Sequence, residues 1–239
     1  MLPTLGVSIP CYNEAESLPG LVARFAEVRP RDLHLDLVLV NNGSTDRSAA
    51  VLAEVVEREQ FRTFCRVTTV PHNEGYGHGI WMGLKATNAE YLGWSHGDLQ
   101  TDPADVFRAF AKLRSMPDHR GVLVKGARQR RDVGGALLTY GMQTMAQLIL
   151  RQPLRDINAQ PKVFHRSLLA YVVAPPKDLS FDLYVLYVAL RAGWKIETVP
   201  VSFERRRHGQ SKWAVGVRSR WRHISAAVRY MIRLRSESA

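Results

Sequence analysis

The sequence predicts an α/β fold built on a mostly parallel sheet with helices on both faces. Short apolar runs of strand length recur at Leu5–Pro10, Asp36–Val40, Val67–Val70, Tyr91–Ser95 and Val122–Lys125. Between them lie segments of helical period at about Ser17–Val28, Ser44–Glu59, Gly77–Thr87 and Pro103–Leu113. Strand–helix alternation of this kind builds a sheet covered on both sides. A polar cluster closes each of the first four runs: CYNE, NNGSTD, HNEG and HGDLQTD. Ligands of an open parallel sheet bind beyond the carboxyl ends of its strands, so these four loops describe one site.

The second half continues with an apolar helical stretch at Gly134–Gln152 and a strand at Ala159–Phe164. Helices near Arg166–Val173 and Phe181–Ala192 and a strand at Lys195–Phe203 follow. Arg29-Pro30 and Pro175-Pro176 mark loops. The 239 residues suffice for one good core, and no repeat or low-complexity linker divides them. The expectation is one domain over residues 1–212, followed by a C-terminal helix over 213–239. Two cysteines, Cys11 and Cys65, make no disulfide framework and point to a reducing cytoplasm. The start, MLPTLGVSIPCYNEAES, lacks the basic and apolar regions of a secretory signal. No run approaches the roughly 18–20 apolar residues of a membrane span.

Charge is unevenly placed. Of the net +11, the stretch from Arg205 to Arg235 holds nine Arg and one Lys without an acid, leaving the rest of the chain near neutrality. A basic tail on a neutral body calls for an anionic partner. After Lys212, the residues Val217, Trp221, Ile224, Val228 and Met231 recur at helical spacing with arginines off the stripe. This pattern suits an amphipathic helix lying on an anionic membrane surface, and equally a helix packed on the core. No stacked aromatics or recognition helix accompany the tail, so no nucleic-acid partner is expected.

The series IPCYNEAES, VLVNNGSTDRS, HNEGYGHGIWMGL, HGDLQTDP, VKGAR, DINAQPKVF and VPVSFERRRHGQSKW resembles the family-two glycosyltransferases of the GT-A, Rossmann-like fold. It is most similar to the polyprenyl-phosphate sugar transferases, the dolichol-phosphate mannose synthase-like group, in order and spacing from about Val7 to Trp213. The resemblance implies an inverting transfer from a nucleotide sugar, UDP- or GDP-linked, to a polyprenyl phosphate. Peripheral attachment to the cytoplasmic face of a membrane goes with it.

Residue by residue, the resemblance makes Pro10, Tyr12 and Glu14 the nucleoside loop, although Glu14 would also serve as the cap of the following helix. NNGSTD stands where the family has two acids before GS, so the neutral Asn41 and Asn42 leave the base open. HGDLQ stands where the family has Asp-x-Asp-x-Gln around Mg²⁺ or Mn²⁺. Asp98 and Gln100 then remain as metal and diphosphate residues, and His96 occupies the first acidic position, as a ligand or as a hydrogen-bonding group. Arg128 matches a basic residue that meets the nucleotide sugar or the acceptor phosphate. Asp156, Gln160 and Lys162 form the floor beneath the transferred sugar and the acceptor. Arg205, His208, Gln210, Ser211 and Lys212 form a basic loop for phosphate, with Arg205 able to grip it through its fork.

A phosphate acceptor is already anionic and needs no strong base, so the protein aligns the reactants and neutralises the leaving diphosphate. A sugar or protein hydroxyl acceptor would need a base, for which Asp156 is the candidate. A non-catalytic nucleotide-sugar-binding module is the third reading, resting on His96, Asn41 and Asn42.

Overall fold

The computed structural model describes residues 2–129, 133–203 and 217–237. Seven strands form one sheet in the order β3-β2-β1-β4-β6-β5-β7. They are Thr4–Cys11 (β1), His34–Asn42 (β2), Cys65–Val70 (β3), Tyr91–Trp94 (β4), Val122–Arg128 (β5), Lys162–His165 (β6) and Lys195–Val201 (β7). The helices are Leu18–Val28 (α1), Ser48–Glu57 (α2), Tyr76–Ala86 (α3), Ala104–Arg114 (α4), Val133–Leu150 (α5), Ser180–Arg191 (α6) and Val217–Glu237 (α7).

β1 is central and buried on both faces, and its residues divide accordingly. Leu5, Val7 and Ile9 join a core with Leu21 and Phe25 of α1, Leu52 of α2 and Phe110 of α4. The other face of β1 carries small residues, and there α3 comes close enough for the Ser8 hydroxyl to donate to the Ile80 carbonyl at 3.0 Å. A second core gathers α3, α5, α6 and α7 around Leu92, Trp94, Leu123 and Phe164. The two faces are thus covered by different sets of helices, as the sequence predicts for a parallel sheet.

β1 pairs in parallel with both β2 and β4, so the strand order reverses there. β6 is the exception in this mostly parallel sheet: it runs antiparallel to both β4 and β5. Its apolar run has no direction of its own, and the short excursion through residues 151–161 returns it the opposite way. The consequence is positional. The first residue of β6, Lys162, lies beside Trp94 at the end of β4 and beside Lys125 on β5. The segment 156–162 is thereby delivered to the same edge as the polar loops.

α2 begins later than the helical period implies. The turn before it is set by side chains, with Asn41 Oδ1 accepting from the Ser44 amide and Asp46 Oδ1 from the Ser48 amide. Gly43 supplies the left-handed φ of +67° between them.

α7 packs along α5. Met231 and Leu234 are buried in the second core, and Val228 and Tyr230 pack against it. Over the part whose side chains are described, the apolar stripe is turned to the protein, while Arg229, Ile232 and Arg233 face outward. Truncating a buried Met side chain costs about 2–5 kcal/mol. Met231→Ala is therefore expected to lower the urea midpoint by that much stability, whereas Arg233→Ala leaves it within about 0.5 kcal/mol.

Candidate active site

The site is assembled at the reversal between β1 and β4, where the loops after the two strands diverge. Pro10 lies at the end of β1, and the half-buried Tyr12 stands on the turn beyond it. Asn13, at φ 57°, ties that turn to the next loop: its Oδ1 accepts from the Thr45 amide at 2.9 Å and its Nδ2 donates to Thr45 Oγ1 at 3.2 Å. The Glu14 amide donates to Ser48 Oγ at 2.9 Å, and Ser17 Oγ donates to its carboxylate at 3.4 Å. The Glu14 carbonyl also accepts from the Ser17 and Leu18 amides at 2.9 and 3.2 Å, so its backbone leads into α1. Beside the turn lies a cavity of about 620 Å³ lined by residues 13–17, Asp46, Arg47 and Val51, from the loops after β1 and β2 and not from the Asp98 turn.

Asn42 is buried beneath the start of α3. Its Nδ2 donates to the Gly75 carbonyl at 3.0 Å, and its Oδ1 is buried without a hydrogen bond. Asn41 is buried as well, accepting from the Ser44 amide at 3.2 Å.

The HGDLQ turn folds back over β1. A Cβ on Gly97 would come within 3.3 Å of the Pro10 carbonyl, so this glycine lets the turn approach the end of β1. Asp98 is 5% exposed, its Oδ1 accepting from the Gln100 amide at 3.1 Å, and Leu99 at φ 57° closes the turn. His96 lies between the rings of Tyr76 and Phe203, at centroid distances of 6.1 and 6.5 Å. Burial lowers its pKa, and Lys162 and Arg128 add to this against the opposing pull of Asp98 and Asp182. The imidazole is therefore neutral at pH 7 and keeps a lone pair for a ligand or a hydroxyl.

Arg128 and Asp156 form a clamp. Both Nε, at 3.1 Å, and a terminal nitrogen, at 2.7 Å, donate to Asp156 Oδ1, while the Arg128 amide donates to Oδ2 at 2.8 Å. The guanidinium also lies 5.4 Å over the Phe203 ring. Burial pushes the Asp156 carboxyl up, but the hydrogen bonds and charge of Arg128 outweigh it and hold it below the usual range. A carboxylate so stabilised is a poor proton acceptor.

Next to this clamp lies a buried network whose centre, Asp182, sequence reasoning missed. Asp182, on the first turn of α6 and 1% exposed, accepts on Oδ1 from Trp94 Nε1 at 3.1 Å, Gln160 Nε2 at 3.0 Å and Lys162 Nζ. Gln160 Nε2 also donates to the Tyr76 hydroxyl at 2.9 Å, and Lys162 Nζ to the Ala159 carbonyl at 3.2 Å. Lys125, buried next to Lys162, donates to the Gly126 carbonyl. The available signal was an acid inside the apolar helical run SFDLYVLYVAL, because a buried acid requires partners. Sequence-predicted Gln160 and Lys162 are brought together here, one layer below His96, Asp98 and Arg128. Arg205, His208, Gln210, Ser211 and Lys212 lie outside the described residues.

The model of glycosyl transferase family 2 matches residues 7–170 of this chain. The chain belongs to that family and is a glycosyltransferase. An uncharacterized glycosyltransferase of Mycobacterium tuberculosis is 28% identical over 215 residues, 86% of this chain and 88% of its own length. The undecaprenyl-phosphate 4-deoxy-4-formamido-L-arabinose transferase of Pseudomonas paraeruginosa is 27% identical over 88% of this chain and 60% of its own length. The dodecaprenyl-phosphate galacturonate synthase of Rhizobium johnstonii is 25% identical over 88% and 62%. Among solved structures, glucosyl-3-phosphoglycerate synthase from Mycobacterium tuberculosis, in complex with Mn²⁺, UDP-glucose and phosphoglyceric acid, superposes with a TM-score of 0.71. It covers 96% of this chain and 80% of its own at 19% identity, a likeness of fold.

Lys125 carries a measurable signature. Burial first, then neighbouring Lys162, pulls its pKa down to about 7, against about 10.4 in an unfolded chain. Between these values the unfolded chain binds more protons, so stability rises with pH through the window. The wild type is expected to gain on the order of 1 kcal/mol per pH unit above pH 7 relative to Lys125→Met. Urea unfolding of both proteins at pH 7 and 9 checks this.

Proposed function

We propose that the enzyme transfers a sugar from a UDP- or GDP-sugar to a polyprenyl phosphate, with inversion at the anomeric carbon. One observation carries the acceptor side of this reading. Among the described residues of the floor, both carboxylates are held by cations: Asp156 by Arg128, and Asp182 by Lys162. A hydroxyl acceptor would need a base, and Asp156 is pinned in its charged, weakly basic form. A phosphate acceptor brings its own negative oxygen. The relatives that transfer to undecaprenyl and dodecaprenyl phosphate support the same choice.

The donor set fits a divalent cation that takes most of its ligands from the diphosphate. No group of three or more His, Cys, Asp or Glu side chains that could hold a metal occurs among the described residues. One buried carboxylate, Asp98, with the Gln100 amide oxygen and the neutral imidazole of His96, suits Mg²⁺ or Mn²⁺ beside phosphate oxygens. Such an ion would neutralise charge on the departing diphosphate. Tyr12 lies against the nucleoside, and the floor at Gln160 and Lys162 sets the height of the sugar. Arg128, pre-aimed by Asp156, meets phosphate, together with the basic residues Arg205, Ser211 and Lys212. Water exclusion falls to Tyr76 and Phe203, whose rings flank His96.

No helix among the described residues is long and apolar enough to cross a membrane. In this reading the lipid is met at an anionic membrane surface, with residues 1–212 as the catalytic body and the basic segment from residue 213 as its attachment. Because Met231 and Leu234 are engaged by the core, contact falls to the outward face of α7 with Arg229, Ile232 and Arg233. The exposed Leu148 of α5 is a further apolar contact.

Two outcomes are expected. Asp98→Asn keeps the shape and loses the charge, so turnover falls roughly 100-fold or more with an unchanged circular dichroism spectrum. Excess EDTA stops the wild type, and Mn²⁺ restores it at least as well as Mg²⁺; full activity of either the variant or the chelated enzyme defeats the metal assignment. Separately, incubation with a panel of nucleotide sugars and membrane lipid extract is expected to yield a glycolipid of sugar-phosphate-polyprenol mass. A product confined to the aqueous phase, on a glycan or protein hydroxyl, overturns the acceptor.

A further inference from the structure

The geometry points to Asp182 as a positioning residue for sugar transfer: its buried carboxylate sets the aim of Gln160 and the seat of the His96–Asp98 turn. The inference rests on the family's transfer reaction and not on the choice of acceptor.

An ionised carboxylate accepts hydrogen bonds and donates none. The end of the Gln160 side chain that faces Asp182 is therefore its NH₂ group, and the amide cannot be turned over. Its two hydrogens are accounted for by Asp182 Oδ1 at 3.0 Å and the Tyr76 hydroxyl at 2.9 Å. Tyr76, accepting that bond, directs its own proton to Asp182; burial first, then the charge and hydrogen bond of Asp182, keep its pKa well above the ordinary value. What remains of Gln160 is Oε1, a buried acceptor without a hydrogen bond. An orphaned buried carbonyl is costly, and here its direction is dictated by Asp182.

The same carboxylate reaches the metal turn by two routes. Trp94, the last residue of β4, donates to it from Nε1 at 3.1 Å, and Asp98 follows in the turn that β4 launches. Tyr76 lies on His96 at 6.1 Å between ring centres. A third route runs through Lys162, whose ammonium bridges Asp182 to the Ala159 carbonyl and so holds the floor segment. Three segments far apart in sequence, at Tyr76, Trp94 and 160–162, are thus set against one another by a single side chain. Asp182 does not act as a base, because Lys162 and two further donors occupy Oδ1.

An asparagine at this position would present an NH₂ group or a single neutral oxygen to a ring of donors. Gln160 is then free to turn, and the turn after β4 loses its anchor. Trp94, Gln160 and Lys162 direct their bonds to Asp182, Tyr76 and Ala159 rather than to the loops at residues 10–14 and 41–46, so the base and ribose side of the nucleotide is expected to bind as before. Misplacement by about 1 Å costs roughly 100-fold in rate.

The test uses the full-length chain, UDP without divalent cation as the binding probe, and Mn²⁺-supported hydrolysis of the donor sugar nucleotide as the acceptor-free activity. Asp182→Asn is expected to lower kcat for donor hydrolysis roughly 10- to 100-fold, with the Kd for UDP changed less than about threefold. Because the single change leaves Lys162 buried and unpaired, it is paired with Asp182→Asn/Lys162→Met, which removes both charges. The double variant is expected to recover thermal stability and to remain as slow as the single one. Wild-type kcat in either variant overturns the proposal, as does a fall in UDP affinity as large as the fall in kcat. A hydrolysing wild type whose transfer product is not a glycolipid refutes the acceptor reading and leaves this one standing on its own result.

Discussion

A carboxylate almost wholly removed from water must be met by donors, and the rest of this site is arranged around that requirement. The effective cost of burying an ion is several kcal/mol, and it is recovered only with close, well-aimed partners. Asp182 finds them on α3, at the end of β4, in the loop before β6 and on β6 itself. Two of those elements lead directly into the layer above: β4 into the turn with His96 and Asp98, and α3 through the Tyr76 ring beside His96. The buried pair therefore converts an energetic demand into geometry, because no member of the network can shift without stranding a polar group.

The antiparallel β6 makes this arrangement possible. Had it run parallel to its neighbours, Lys162 would sit at the opposite edge of the sheet, remote from Trp94. Reversal brings residues 156–162 to the carboxyl ends of β4 and β5, where Asp156 meets Arg128 and Gln160 meets Tyr76. The reversal of strand order at β1 and β4 opens the crevice, and β6 closes its floor from the far side. The general rule for open α/β sheets accounts for the first feature. The second belongs to this topology.

Most of the strands and helices were legible in the chain, because an apolar run bounded by polar turns has few other fates. The polar loops at the strand ends were legible for the same reason, and with them Tyr12, His96, Asp98 and Gln100. Strand direction was not, since the run at residues 159–164 reads the same both ways; the loop, not the strand, decides it. Nor did helical spacing reveal which side of α7 faces the protein. Val228 and Met231 satisfy a membrane and a core alike, and only the apolar surface offered by α5 and α6 selects the core. Asp182 was hidden by its surroundings: one acid among apolar residues carries no motif, and its partners lie on α3, on β4 and in the segment before and into β6. Glu14 reads two ways in the chain, as a nucleoside residue and as a cap; α1 has no side-chain cap bond, and the Glu14 carboxylate takes up the Ser17 hydroxyl instead.

The charge balance of the floor explains why the basic residues of the sequence are concentrated where they are. Arg128 is matched by Asp156 and Lys162 by Asp182. His96 is held neutral by burial, and Lys125, with its pKa pulled to about 7, is largely discharged just above that pH. The described floor therefore offers little net positive charge to a nucleoside diphosphate, however many cations it contains. Its residues orient, and their charges are already committed to one another. In the proposed reaction, stabilisation of the leaving diphosphate must come from outside that layer. Two sources are available: a cation beside Asp98, and the segment 205–212 with three Arg and one Lys and no acid. Separating the two tasks has a physical advantage. A fixed, neutral floor keeps its geometry whether or not substrate is bound, while charge meets the diphosphate only where the leaving group develops it.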